Sequence, residues 1–174
     1  MGETSVYFVP DDETRWIGRE RDVAEAFWAL GVFLTVPDDS VYARIRQWKA
    51  EGRALPAWKH SFRFATMGLG GLGQWEPVPS LVYDLRCPAC DADVFEFLHE
   101  VWEDESAVPL PERAIACHSC GVSIPAGGAH SETPFTFSRF FLWVSDIGDD
   151  WDPTFKSTVE AVLGPCKEFQ AWET

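Results

Sequence analysis

Four cysteines stand in two C-x-x-C pairs, Cys87 and Cys90 in "RCPACD" and Cys117 and Cys120 in "ACHSCG". Thiolates are soft ligands that grip zinc tetrahedrally, and a C-x-x-C turn puts two sulfurs on one side of an ion. Two facing turns close the tetrahedron, so these four residues are the candidate ligands of one structural zinc ion. The pairs are separated by residues 91–116, a longer spacing than the common pattern, but loop-closure entropy grows only slowly with length. Pro88 stiffens the first turn, and Gly121, after the second pair, supplies a positive φ that lets N–H groups point at sulfur. Iron would fit the same sulfurs, and a redox or disulfide pair is the other alternative. A catalytic zinc is disfavoured because four thiolates leave no position for water. His118, inside the second pair, has the wrong spacing to share an ion with Cys120 and is read as exposed. Cys166, the odd cysteine, is read as a small buried hydrophobe.

The runs around the pairs are strand-like: "SLVYDLR" before the first, "RAIA" before the second and "VSI" after it. This pattern resembles a zinc ribbon, in which two knuckles at hairpin tips clasp one ion. The resemblance covers roughly residues 81–125. The first knuckle departs from it by carrying Asp91 where the second has Gly121, a mild departure because Asp tolerates the left-handed region.

The elements that must hold these knuckles read as follows. "SVYFVP" is a strand ended by Pro10. In "RERDVAEAFWALGVFL", Val23, Phe27, Leu30 and Leu34 recur at helical spacing, with Gly31 weakening the end. "PDDSVYARIRQWKAEG" is a helix closed by Gly52. "PAWKHSFRFATM" alternates as a strand, and "GLGGLGQWEPVP" reads as a loop. "VFEFLHEVW" fits both a helix and a strand. "FTFSRFFLWVSDI" reads as one long strand, "DPTFKSTVEAVLG" as a helix stopped by Gly164–Pro165, and "CKEFQAWE" as a closing strand. The expected fold is α+β, a mostly antiparallel sheet with helices on one face. Residues 1–80 and 129–174 would form this body, and residues 81–128 a zinc-ribbon-like insertion stabilised by its metal.

Composition bounds the function classes. Apolar residues make up 46% and include nine Trp and thirteen Phe, enough for a sizeable core. No apolar run is long enough for a membrane span. The first residues lack a basic and a long apolar region, so no secretory signal is predicted, and Val6 breaks the myristoylation pattern. A cytoplasmic protein is expected. The net charge is −14; residues 1–63 hold nine Lys and Arg against ten Asp and Glu, and residues 64–174 hold five against eighteen. Such a field repels phosphate backbones and anionic lipids and attracts basic proteins.

No nucleophile-and-base pattern, zinc-protease motif or phosphate loop occurs, so the reading leans away from an enzyme without settling it. His99 with Glu96, Glu100 and Glu103 would share a helical face, and Asp146, Asp149, Asp150 and Asp152 cluster without calcium-loop spacing; both read as solvated acidic surface. The expected function is an acidic protein-binding module with a structural zinc, one form being a bacterial immunity or antitoxin-type inhibitor of a basic toxin. Glu103, Asp104, Glu105, Asp149, Asp150 and Trp151 are its candidate partner-binding residues. The alternatives are a nucleic-acid-associated zinc-ribbon protein and an enzyme with a structural zinc. The first would rest on Arg44, Arg46, Lys49, Arg53 and Lys59, interleaved with Trp48 and Trp58. The oligomeric state is left open by the sequence.

Overall fold

A computed structural model describes residues 3–32, 41–54, 66–79, 84–103, 106–145 and 154–173. The fold is α+β. In chain order it comprises β1 (Glu3–Pro10), α1 (Glu20–Ala29), α2 (Val41–Ala50), β2 (Thr66–Gly70), β3 (Glu76–Val78), α3 (Phe95–Glu103), β4 (Ala114–Ala116), β5 (Ser123–Pro125), β6 (Thr136–Ser138), β7 (Phe141–Ser145), α4 (Thr154–Leu163) and β8 (Cys166–Glu173). The chain divides into two compact units, one formed by Met1–Gly73 with Arg139–Thr174 and the other by Gln74–Ser138. The divisions fall after residues 73 and 138, where the sequence reading put them after 80 and 128.

The first unit is built on a four-stranded antiparallel sheet in the order β2-β7-β1-β8. Strand alternation sends Val6 and Phe8 of β1, Leu142 and Val144 of β7, and Met67 and Leu69 of β2 into one core. Val23, Ala24 and Phe27 of α1 and Phe155, Val159 and Leu163 of α4 share that core. The Trp16 indole N–H donates to the Leu163 carbonyl, 3.1 Å away, and so satisfies one of the free carbonyls at the end of α4.

Local chemistry sets the helix ends. The Val32 N–H reaches the Phe27 carbonyl (3.0 Å) and the Gly31 N–H the Trp28 carbonyl (3.0 Å), a paired closure that needs the positive φ of 75° at Gly31. The expected contribution of Leu34 to α1 lies outside the described residues. Arg53 and Gly52 close α2 in the same way onto Trp48 and Lys49.

Two strand expectations are corrected. The glycine-rich stretch read as a loop donates Gly68–Gly70 to β2 and Glu76–Val78 to β3. Glycine is needed there because Trp143 and Phe141, opposite Gly68 and Gly70, lay their rings over the missing side chains. A Cβ on Gly68 would meet the Trp143 ring at 2.8 Å. Most of the strand expected over residues 56–67 lies outside the described residues. The expected single strand from Phe135 is two strands. β6 pairs with β3, whereas β7 pairs with β1 and β2. The ladder breaks at Arg139, whose N–H donates to the Glu13 carboxylate (3.0 Å) and whose carbonyl accepts from the Gly73 N–H (2.8 Å).

The second unit has a core of its own. Leu85, Val94, Leu98, Leu110, Ile115, Ile124, Ala126 and Ala129 are buried together with Cys87 and Cys117. The stretch "VFEFLHEVW", ambiguous by pattern, is helical: Asp93 accepts from the Phe95 N–H at 2.9 Å, and Val94 and Leu98, four residues apart, are buried. Arg113 closes the other end of α3, its guanidinium donating to the carbonyls of Val101, Trp102, Ser106 and Val108.

Candidate metal centre

The two knuckles have matching backbone geometry. In the second, β4 and β5 pair through Ile115 and Ile124. The Cys117 N–H donates to the Val122 carbonyl (2.9 Å), and the Gly121 N–H to the Cys117 carbonyl (2.8 Å). In the first, Arg86 bridges Asp93. There the Cys87 N–H donates to Ala92 (2.9 Å) and the Asp91 N–H to Cys87 (2.9 Å). The residue after each second cysteine is left-handed, with φ of 60° at Asp91 and 70° at Gly121. Asp91 therefore adopts the conformation that glycine takes in the second knuckle, which Asp tolerates better than most residues. Its carboxylate lies 3.2 Å from His130 Nε2, and the backbone of His130 exchanges two hydrogen bonds with Arg86. The first knuckle is thus anchored from a distant part of the chain.

This geometry brings all four cysteines together. Their sulfurs lie within 4.8 Å of one another, with Cys87 Sγ 3.8 Å from Cys120 Sγ and Cys90 Sγ 3.6 Å from Cys117 Sγ. All are free thiols, and the separations are far beyond a disulfide bond of about 2.0 Å. A tetrahedron with metal–sulfur bonds of about 2.3 Å has edges of about 3.8 Å; the Cys87–Cys120 and Cys90–Cys117 separations match that edge, and all four sulfurs lie within 4.8 Å of one another. Cys87 and Cys117 are buried, and Cys90 and Cys120 face solvent.

The electrostatics also fit a cation. The backbone N–H of Cys120, helped by that of Ser119, outweighs burial and brings the Cys117 thiol down to about 6. The N–H of Ala92 favours the Cys90 thiolate, but the Cys120 sulfur, together with some desolvation and the Cys117 and Cys87 sulfurs, prevails and pushes it up to about 12. Four thiolates this close repel one another, and a central cation removes that penalty. The cluster could hold a metal ion, in an arrangement consistent with a zinc-ribbon-like site.

The other residues singled out by sequence are placed differently. His118 is exposed and stacks on Phe97, ring centres 5.4 Å apart. His99 is exposed beside Trp102. Cys166 is buried; that burial, reinforced by the charges of Glu160 and Asp11, pushes its thiol up to about 12. Glu103 ends α3, with its side chain outside the described residues, as are Asp104, Glu105, Asp149, Asp150 and Trp151. So are Lys59 and Trp58 of the basic group. Within that group, Arg44 is 2% exposed, pairs with Glu25 at 2.8 Å and lies over Trp28. Arg53 covers Trp48 at 3.5 Å and also reaches Glu25.

Two organising residues of this unit carried no sequence signal strong enough to single them out. Arg113 was visible only as one of two basic residues in the unit. Asp84 accepts hydrogen bonds from the Ser131 hydroxyl and from the N–H groups of Glu132 (2.8 Å) and Thr133 (3.2 Å), which fixes the turn after His130. Three clefts, of about 550, 410 and 450 Å³, are also lined by residues of this unit.

Comparison with protein-family models, with curated proteins and with solved structures finds no match. Among the described residues, no helix is long and apolar enough to cross a membrane.

Proposed function

We propose that this chain is a non-enzymatic binding module in which one zinc ion, held by Cys87, Cys90, Cys117 and Cys120, rivets an acidic unit that engages a basic protein. The observation that carries this reading is where the charge sits. Gln74–Ser138 holds eleven Asp and Glu against two Arg and no Lys, a formal charge of −9. Four thiolates around a divalent ion add further negative charge. A field of this sign steers a cationic partner and suppresses anionic ones.

A zinc ion bound by four thiolates is closed to substrate and contributes folding energy instead. The buried Cys87 and Cys117, packed among Leu85, Val94 and Ile115, support that structural role. One concrete form is an immunity or antitoxin-type inhibitor that covers the basic cleft of a toxin such as a nuclease. Association with nucleic acid has weaker support. Arg44 is buried against Glu25 and Trp28, which takes it from the surface that reading requires, and the exposed Arg53 is already paired with Glu25 and Trp48.

The test is a pull-down from the native host, followed by association kinetics at several ionic strengths. The expected result is a basic partner whose association slows steeply with salt, and slows again with Glu103→Lys, Asp104→Lys and Glu105→Lys. Recovery of no partner, or a complex indifferent to salt, would refute the reading.

A further inference from the structure

Two clefts of the Gln74–Ser138 unit have Trp75 in their lining. The first, of about 550 Å³, has Trp102 and Val108 in its lining. These are two of the few large apolar side chains exposed among the described residues, at 37% and 46%. The second, of about 410 Å³, is lined by Pro111, Phe135 and Phe137. Each volume lies in the range that accepts a small ligand or a large side chain.

The unit that carries these clefts is predominantly acidic. Neither lining contains a lysine, and the one arginine, Arg113, has its guanidinium tied to four backbone carbonyls. Glu76 lines the first cleft, and the exposed Glu112 and Glu132 stand beside Pro111 and shortly before Phe135 in the chain. Clefts that mix aromatic and apolar side chains with polar ones, in a unit with eleven Asp and Glu against two Arg, suit a ligand that is greasy at intervals and cationic between. They are unsuited to anionic lipid or nucleic acid.

We infer that these two clefts are the docking site for an extended lysine- or arginine-rich protein segment that seats one apolar side chain in each of them. The inference rests on the basic-partner reading above and adds to it a place and an anchor requirement. The anchors supply affinity, while the carboxylates supply steering and register.

The test uses the full chain and two fluorescently labelled peptides of equal charge, one all-lysine and one lysine-rich with two leucines, titrated by polarisation at low salt. The leucine peptide is expected to bind at least about tenfold more tightly than the all-lysine one. Trp102→Ser and Val108→Ser, at exposed positions, should each weaken it by about three- to tenfold with melting temperature unchanged. Phe135→Ser probes the second cleft, with its melting curve as the control. Equal affinity for the two peptides, or unchanged affinity in Trp102→Ser and Val108→Ser, would overturn the assignment. A basic host partner whose binding survives both substitutions would remove this site and leave the acidic-binder reading standing. Failure of every basic probe and partner would remove both.

Discussion

Replacement of Cys87 by serine is the sharpest probe of the metal centre. Cys87 is 0% exposed, its sulfur sits 3.8 Å from that of Cys120, and its backbone closes the first knuckle through Ala92 and Asp91. A serine hydroxyl stays protonated at neutral pH and is a poor soft-metal ligand. Structural zinc sites of this kind are worth about 10–16 kcal/mol, so one ligand in four is worth about 3 kcal/mol. That is roughly a hundredfold in metal affinity. Competition against a chromophoric chelator reads this directly, with metal content by elemental analysis beside it. Amide exchange should quicken around Leu85, Val94 and Ile115, which share a core with this cysteine, and hold steady in β1 and β7, which belong to the other core. A variant that kept its metal to within a few-fold of the parent affinity, with exchange around Ile115 unaltered, would refute the shared-ion geometry.

Other expectations follow from single contacts. The carboxyl of Asp84 lies below its ordinary 3.8: burial opposes its charge, but the Ser131 hydroxyl and the Thr133 and Glu132 N–H groups prevail. Its stabilisation is therefore present above that value and fades as pH falls through the lowered one. Asp84→Asn should lower the melting temperature at neutral pH, with the gap to the parent closing in acid; a gap independent of pH would refute the linkage. Phe155, fully buried and edge-to-face with Phe8 at 6.0 Å, should cost about 3–5 kcal/mol as alanine in denaturant unfolding. Gly70→Val should cost about 1–3 kcal/mol by forcing the Phe141 ring off the strand, and wild-type stability in that variant would show that the ring is not confined there.

Much of the four-cysteine cluster was legible because its chemistry is local. Each C-x-x-C turn carries its own ligand spacing, and Gly121 announces the left-handed residue that Asp91 mimics. The ends of α1 and α2 were legible for the same reason, since Gly31 and Gly52 act on the turn just before them. What escaped was decided at long range. Gly68 and Gly70 look like loop residues until Phe141 and Trp143 arrive from far along the chain to cover them. The break between β6 and β7 depends on Glu13 and Gly73, neither of which marks Arg139 in sequence. The stretch that becomes α3 satisfied two periodicities at once, and burial of Val94 and Leu98 settled the choice. The clefts beside Trp75 gather Trp102, Pro111 and Phe135 from separate segments, and no window of sequence displays them together.

The hydrogen bond from Gly73 to Arg139 has a wider consequence. These are the residues at which the first unit gives up the chain and takes it back, and they touch. That unit ends in two neighbouring stubs, like a hairpin with its tip cut open. Chain spliced between such stubs costs little extra entropy as it lengthens. In the chain, residues 74–138 leave and rejoin the first unit at adjacent points, so that stretch could change in length while the four-stranded sheet stays the same.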